Sequence, residues 1–335
     1  MHRRIYEYHP VIGYRFIPGL VARVPHEGGG YLIKVNRAGF RCEHELTRQR
    51  PRGVFRVLLF GDSFTAGEGV SNGARFGDLL EKRWPSIQIL NFGLPGTGTD
   101  QQYLIYREFA RDLEYDLLVV CPLVENIRRV VSRYRLIVSQ EGQQPVYLAK
   151  PYFEFVDGRL ELRHVPVPKT AVTKSQIPRD DMPYVDEGGP HAGLRAFVNT
   201  YLRPMKTVIQ TLSHYQPVPE YDDPEHPAWL LMKAILRQWI GECEDRPIMI
   251  CPLPLYHHIE QYAPSDSYLR CFQTLGTLPQ VTVHDPLPRF WAESPENRRR
   301  CRFARDQHLT PYGHRVLADA LGPAIARFLD QAARR

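Results

Sequence analysis

Short apolar runs alternate with helix-patterned segments in the first half of the chain. Each run is four to six residues long and is bounded by turn signals, as expected for buried strands. Strands are predicted at 57–60, 87–91 and 116–121, and helices at 75–84 and near 99–113. This alternation predicts right-handed βαβ units on a parallel sheet.

The alternation breaks after residue 129 and resumes near residue 246. The resumed pattern predicts strands at 247–251 and 281–284, and helices near 264–276 and 311–333. The intervening segment has a hairpin signal at 152–164, with Asp157-Gly158 as its turn, and helical patterns near 193–215 and 226–244. We expect residues 129–245 to contain part of the helical layer and a cap-like insertion over the carboxyl edge of the sheet.

Residues 1–52 contain no strong helical pattern and form a predicted N-terminal extension. Two segments, 11–16 and 31–36, have the composition of extended strands around a glycine-rich turn. The remaining residues, 53–335, are predicted to form the main domain.

Composition and charge narrow the class of protein. Of the 335 residues, 43% are hydrophobic and 24% are charged, which suits a globular protein. The formal charge is +6, and no nucleic-acid-binding motif accompanies the densest basic cluster, so we expect no nucleic-acid partner. That cluster predicts a solvated surface or a rim that attracts an anionic substrate. Its members are Arg298, Arg299, Arg300, Arg302 and Arg305.

The cysteine pattern, the first residues and the lengths of the apolar runs together predict a cytoplasmic protein. The six cysteines include no CxxC pair, so they do not suggest a zinc site. The first residues are followed by polar residues instead of an apolar signal-peptide core. No apolar run approaches the ~20 residues needed to span a membrane.

Polar residues follow the ends of the first three predicted strands. They lie in Gly61-Asp62-Ser63, in the turn at 93–98 and in Glu125-Asn126. A further polar segment, 306–314, precedes the last helix. Because ligands bind outside the carboxyl ends of strands in open α/β sheets, we expect these segments to meet at one edge.

These residues suit acyl transfer. A serine hydroxyl needs a base to accept its proton, and an imidazole has the right basicity at neutral pH. Ser63 is the candidate nucleophile, His308 the candidate base and Asp306 the carboxylate that orients it. The backbone N–H groups of Ser63 and Gly96 and the amide of Asn126 are candidate oxyanion donors, typically worth ~3–4 kcal/mol each.

At these motifs the chain resembles the SGNH (GDSL-type) hydrolases. Gly61-Asp62-Ser63-Phe64 is similar to their first block and 91–96 to their second, which implies that Gly96 is the oxyanion glycine. Asn126 matches the asparagine of the third block, although the rest of Gly-x-Asn-Asp is absent. The last block is usually Asp-x-x-His, whereas one residue separates Asp306 from His308. The segments 13–16 and 36–41 are similar to a leader found ahead of some bacterial members.

The resemblance implies a flavodoxin-like, three-layer α/β/α fold around a parallel five-stranded sheet. It also implies hydrolysis or transfer of ester-linked acyl groups without a metal or organic cofactor. The expected substrate is a small-molecule or sugar-linked acyl ester.

Several alternatives stay open at this point. Asp62 is expected to bond the backbone of its own turn, and Asn126 either donates to an oxyanion or caps the following helix. The same site could serve an O-acyltransferase, and the fold could also serve as a non-catalytic glycan- or acyl-binding module. The insertion forms either a lid over the site or the interface of a homodimer.

Overall fold

A computed structural model describes residues 5–137, 146–178, 181 and 215–334. The helix predicted near 193–215 lies outside these residues, apart from its last position. Within the described residues we find no helix with both the length and the apolar character needed to cross a bilayer.

Fourteen strands and ten α-helices fall within the described residues. The strands are β1 (Tyr6–His9), β2 (Gly13–Phe16), β3 (Val21–Val24), β4 (Tyr31–Lys34), β5 (Phe55–Gly61), β6 (Ile87–Asn91), β7 (Leu117–Cys121), β8 (Tyr134–Ile137), β9 (Val146–Ala149), β10 (Tyr152–Val156), β11 (Arg159–Arg163), β12 (Ala171–Val172), β13 (Ile248–Ile250) and β14 (Val281–Val283). The helices are α1 (Ser63–Ala66), α2 (Phe76–Arg83), α3 (Thr99–Ile105), α4 (Asn126–Val131), α5 (Pro227–Glu242), α6 (Tyr256–Ile259), α7 (Asp266–Gln273), α8 (Leu287–Trp291), α9 (Pro295–Arg299) and α10 (Pro311–Ala333). A π-helical segment, Tyr106–Ala110, continues α3, and 3₁₀ turns occur at Lys174–Gln176 and Pro219–Tyr221.

The central sheet has five parallel strands in the order β14-β13-β7-β5-β6. Counted along the chain, this is the flavodoxin-like order 2-1-3-4-5. Every residue of β5 and β7 is buried, which explains why these strands are continuous apolar runs in the sequence. The five predicted strands and the predicted fold class are therefore confirmed.

Helices on the two faces complete a three-layer α/β/α arrangement. One group consists of α2, α8 and α10, which pack together, and a second consists of α3, α4 and α5. Trp239 of α5 packs edge-on against Phe60 of β5, with ring centroids 5.1 Å apart. The helix predicted at 226–244 is thus part of the core.

The N-terminal extension forms two antiparallel hairpins, β1–β2 and β3–β4. The predicted extended segments are therefore confirmed. Phe16, Ile33 and Phe40 are buried within the same hydrophobic core as the central sheet. The extension thus packs against the main domain through this shared core, while the domain boundary at residue 52 stays a prediction.

The segment after α4 adds two small antiparallel sheets, β12-β9-β8 and β10-β11. Asp157 and Gly158 have φ values of 48° and 76°, as a two-residue type I′ turn requires, so the predicted hairpin is confirmed. Phe153 of β10 packs 5.8 Å from Tyr103 of α3, between ring centroids. The hairpin therefore rests on the helical layer.

Candidate active site

Ser63 begins α1, immediately after the carboxyl end of β5. The preceding Asp62 is fully buried, and its Oδ1 accepts the N–H of Phe64 at 3.0 Å. Its Oδ2 accepts a hydrogen bond from Nη1 of Arg129 at 2.9 Å, and the same nitrogen donates to the carbonyl of Thr97 at 3.2 Å. Asp62 therefore shapes the turn that presents Ser63, as expected from the sequence.

His308 lies between Ser63 and Asp306. Its Nε2 is 2.7 Å from Oγ of Ser63, and its Nδ1 is 2.5 Å from Oδ1 of Asp306. The same Oδ1 accepts the backbone N–H of His308 at 3.1 Å. A carboxylate at Nδ1 keeps the hydrogen there and leaves Nε2 free to accept from the serine hydroxyl. A single intervening residue is thus compatible with this arrangement.

The titration of His308 reflects three acidic groups. Burial on its own lowers the His308 pKa, but the hydrogen bond that His308 donates to Asp306 and the negative charges of Glu68, Asp306 and Asp62 raise it above the ordinary 6.5. For Asp306, burial raises the pKa, but hydrogen bonds from His308 and His26 and the charge of His308 hold it well below its usual range. Asp306 is therefore ionised at neutral pH.

Glu68 is an acidic neighbour that the sequence analysis missed. Its Oε2 lies 3.6 Å from Nε2 of His308, on the serine side of the ring. Helix α1 ends at Ala66 and is capped by Gly67, so no helical periodicity connects Glu68 with Ser63. The sequence held no signal for this contact.

If His308 is the general base that the sequence predicts, Glu68→Gln should move the acid limb of the kcat/KM pH profile to lower pH. A base must be neutral, so a raised His308 pKa places that limb above 6.5, and removing a nearby negative charge lowers the pKa. The measurement is ester hydrolysis from pH 5 to 9, with Glu43→Gln as control because Glu43 is not among the charges acting on His308. An unchanged or upward-shifted limb in Glu68→Gln would contradict this electrostatic role.

Asn126 is the first residue of α4, after β7. Its Oδ1 and Nδ2 are buried and have no hydrogen-bond partner among the described residues. Glu125 occupies the N-cap position, and no side chain caps this helix end. The structure therefore does not support the alternative that the Asn126 side chain caps α4. A buried amide without a partner costs about 1–3 kcal/mol, so a ligand that accepts its N–H would recover that energy.

If Asn126 is the oxyanion donor that the sequence predicts, Asn126→Ala should lower kcat by about 10²–10³-fold with a smaller change in KM. Thermal stability should not fall, because the amide bonds nothing in the part of the chain that the structure describes. Steady-state kinetics and a melting curve test both statements. A helix-capping role gives the reverse outcome, with a loss of about 1 kcal/mol in stability and unchanged kcat.

Gly93 and Gly96 shape the loop between β6 and α3. The N–H of Gly93 donates to Oδ1 of Asn91 at 2.8 Å, and a Cβ at Gly93 would lie 2.4 Å from the backbone N of Ala66. Gly93 thus stabilises the backbone conformation of this loop and allows the chain after β6 to approach α1 closely. Gly96 has a φ of +77°, and a Cβ there would lie 2.5 Å from Nη2 of Arg135. The conformation of this loop therefore requires glycine at both positions.

The leader-like segments of the extension contact this same region. The Tyr14 hydroxyl donates to the carbonyl of Pro95 at 2.5 Å, beside Gly96. The buried guanidinium of Arg41 donates to the carbonyls of Gly67 and Val70, each at 2.7 Å. These bonds fix the loop before α3 and the chain after α1.

The arginine cluster at 298–305 is partly structural. Arg298 is buried, and Arg302 pairs with the buried carboxylate of Glu260 at 2.6 Å. These two side chains do not belong to a solvated run.

In the described ranges no group of three or more His, Cys, Asp or Glu side chains has an arrangement that could hold a metal ion.

A scan against protein-family models and a search of curated proteins give no match for this chain. Among solved structures, it is similar to a member of the lipolytic G-D-S-L family from Veillonella parvula, with 10% identity, a TM-score of 0.42 and coverage of 82% of this chain and 100% of the other. A lipase/acylhydrolase from Enterococcus faecalis has 13% identity, a TM-score of 0.42 and coverage of 81% and 95%. An acetylxylan esterase from Geobacillus stearothermophilus has 13% identity, a TM-score of 0.42 and coverage of 81% and 94%.

At these identities and TM-scores the matches carry no argument about activity. The functional argument therefore depends on the contacts of Ser63, His308 and Asp306 and on the unpartnered buried amide of Asn126. The chain has a three-layer α/β/α fold, and one of the similar solved structures is a member of the lipolytic G-D-S-L family, which its motifs resemble.

Proposed function

We propose that the chain is a serine esterase that hydrolyses an ester-linked acyl group. The observation that carries the proposal is the hydrogen-bonded chain from Ser63 Oγ through His308 to Asp306. The buried amide of Asn126, at the start of α4 after the adjacent strand β7, supports it, because an oxyanion would satisfy this donor.

In the proposed reaction, Oγ of Ser63 attacks the acyl carbonyl while Nε2 of His308 takes the hydroxyl proton. The developing oxyanion is stabilised by the N–H groups of Ser63 and Gly96 and by the Asn126 amide. His308 returns the proton to the leaving alcohol, which leaves an acyl-serine. Water, deprotonated by His308, then releases the acid and restores Ser63. Every proton in this cycle passes through His308, so no cofactor is needed.

A fluorophosphonate probe tests the proposal on the full chain, together with p-nitrophenyl acetate turnover. We expect steady turnover and a modified serine in the tryptic peptide 57–75. That peptide contains both Ser63 and Ser71, so fragment ions must place the adduct. Heat-denatured protein is the control. Labelling of another serine, or neither labelling nor turnover in folded protein, would contradict the proposal and favour a binding module.

The same assay separates hydrolysis from acyl transfer. A hydrolase releases p-nitrophenol continuously in water. A transferase gives one equivalent and stops, and turnover resumes when an alcohol acceptor is added. A single-turnover burst would therefore replace the esterase proposal with an O-acyltransferase that uses the same residues.

A further inference from the structure

The second oxygen of the Asp306 carboxylate contacts the N-terminal extension. Oδ1 is occupied by His308, whereas Oδ2 lies 2.9 Å from Nε2 of His26, in the turn between β3 and β4. The two residues are 280 positions apart in the chain. Only 10% of the His26 side chain is exposed, so solvent does not readily replace this contact.

The partners of His26 define which of its nitrogens carries the hydrogen. The backbone N–H of Gly28 donates to His26 Nδ1 at 3.2 Å, so Nδ1 must be an acceptor. In the neutral ring, the hydrogen then lies on Nε2 and points at Asp306. His26 can therefore donate to the carboxylate from Nε2, and the contact does not require a protonated imidazole.

The rest of this turn also contacts the segment around Asp306. The Glu27 carboxylate accepts the backbone N–H of Arg305 at 2.9 Å and that of Asp306 at 2.6 Å. The His26 ring packs edge-on against Phe303, with centroids 4.4 Å apart. The segment 303–308 has no helix or strand of its own, so these contacts are a principal support for it.

We propose that His26 is a positioning residue that fixes the Asp306 carboxylate in the plane of the His308 ring, and that the N-terminal extension is thereby part of the active site. The inference rests on the proposed esterase function. A side chain that orients a catalytic group must itself be held in place. A carboxylate that is free to rotate loses the hydrogen bond that sets the tautomer of the imidazole. Here one oxygen orients His308 and the other is held by His26.

The test compares His26→Phe with His26→Gln. Phenylalanine keeps a ring against Phe303 but has no donor, whereas the glutamine amide can reach the position of Nε2. We expect His26→Phe to lower kcat by about 10–100-fold with little change in KM, the range for a hydrogen bond to a charged group. His26→Gln should retain most of the activity. Arg23→Ala is the matched control, because Arg23 bonds Gly29 in the same turn without touching Asp306.

A double-mutant cycle with Asp306→Asn separates positioning from general support. If His26 acts through Asp306, His26→Phe will cause little further loss in the Asp306→Asn background. Equal losses in His26→Phe, His26→Gln and Arg23→Ala, or full additivity in the cycle, would overturn the inference and leave only a structural role.

An activity-independent measurement distinguishes this inference from the proposed function. In ¹⁵N-histidine-labelled protein, we expect the NMR signals of His26 to report hydrogen on Nε2 and to shift in Asp306→Asn. If the protein hydrolyses no ester, the function fails while these signals still test the contact. If esters are hydrolysed but the His26 signals show hydrogen on Nδ1, the inference alone fails.

Discussion

Ser63→Ala and His308→Ala are each expected to reduce ester turnover by about 10⁴–10⁶-fold and to abolish fluorophosphonate labelling. Ser63 supplies the attacking oxygen, and His308 is the group within hydrogen-bond distance of that oxygen that can take its proton at neutral pH. Because the two act as one unit, the double variant should lose little more than either single variant. Initial rates and probe labelling measure the effect.

Ser71→Ala is the matched control for Ser63→Ala. Ser71 lies in the same tryptic peptide, and its hydroxyl accepts the N–H of Leu32 in an exposed hydrogen bond. This variant should keep both labelling and turnover. Circular dichroism should show that all the variants are folded. Full labelling of Ser63→Ala, with loss in Ser71→Ala, would transfer the nucleophile role to Ser71.

The sheet could be predicted because parallel strands buried on both faces leave a continuous apolar run in the sequence. The strand predicted at 87–91 has those bounds in the structure, and the hairpin at 152–164 followed from its Asp157-Gly158 turn. The helix predicted near 99–113 is less regular, since an α-helix ends at Ile105 and continues as a π-helical segment. A change in hydrogen-bond register of this kind leaves apolar spacing nearly unchanged, so periodicity does not reveal it.

The candidate site was predictable to the extent that its residues follow strand ends or form short motifs. Ser63, Asp306 and His308 belong to such motifs, and the structure brings them together. Glu68 and His26 do not, because their contacts depend on how separate segments fold against each other. The sequence also indicates the charge of Arg302 but not its buried acidic partner, Glu260. Long-range pairing is the part of the site that composition and spacing leave undetermined.

Asp306→Asn tests whether this carboxylate orients the imidazole despite its short spacing from His308. We expect kcat to fall by about 10⁴-fold while KM changes little. The asparagine amide can donate to Nδ1 of His308, which places the ring hydrogen on Nε2, facing the Ser63 hydroxyl. In that tautomer Nε2 no longer accepts the serine proton. Steady-state kinetics and the second-order rate of fluorophosphonate labelling should fall together.

Glu68→Gln is the comparison variant for the loss of kcat expected in Asp306→Asn. Glu68 contacts the same imidazole but on the Nε2 side, at 3.6 Å, so it cannot hold the hydrogen on Nδ1. Its variant should shift the pH profile and keep most of the maximal rate. A loss below about tenfold in Asp306→Asn would exclude Asp306 as the orienting carboxylate, since a wrong tautomer removes the base itself. The geometry favours the large loss because Asp306 Oδ1 bonds both Nδ1 and the backbone N–H of His308.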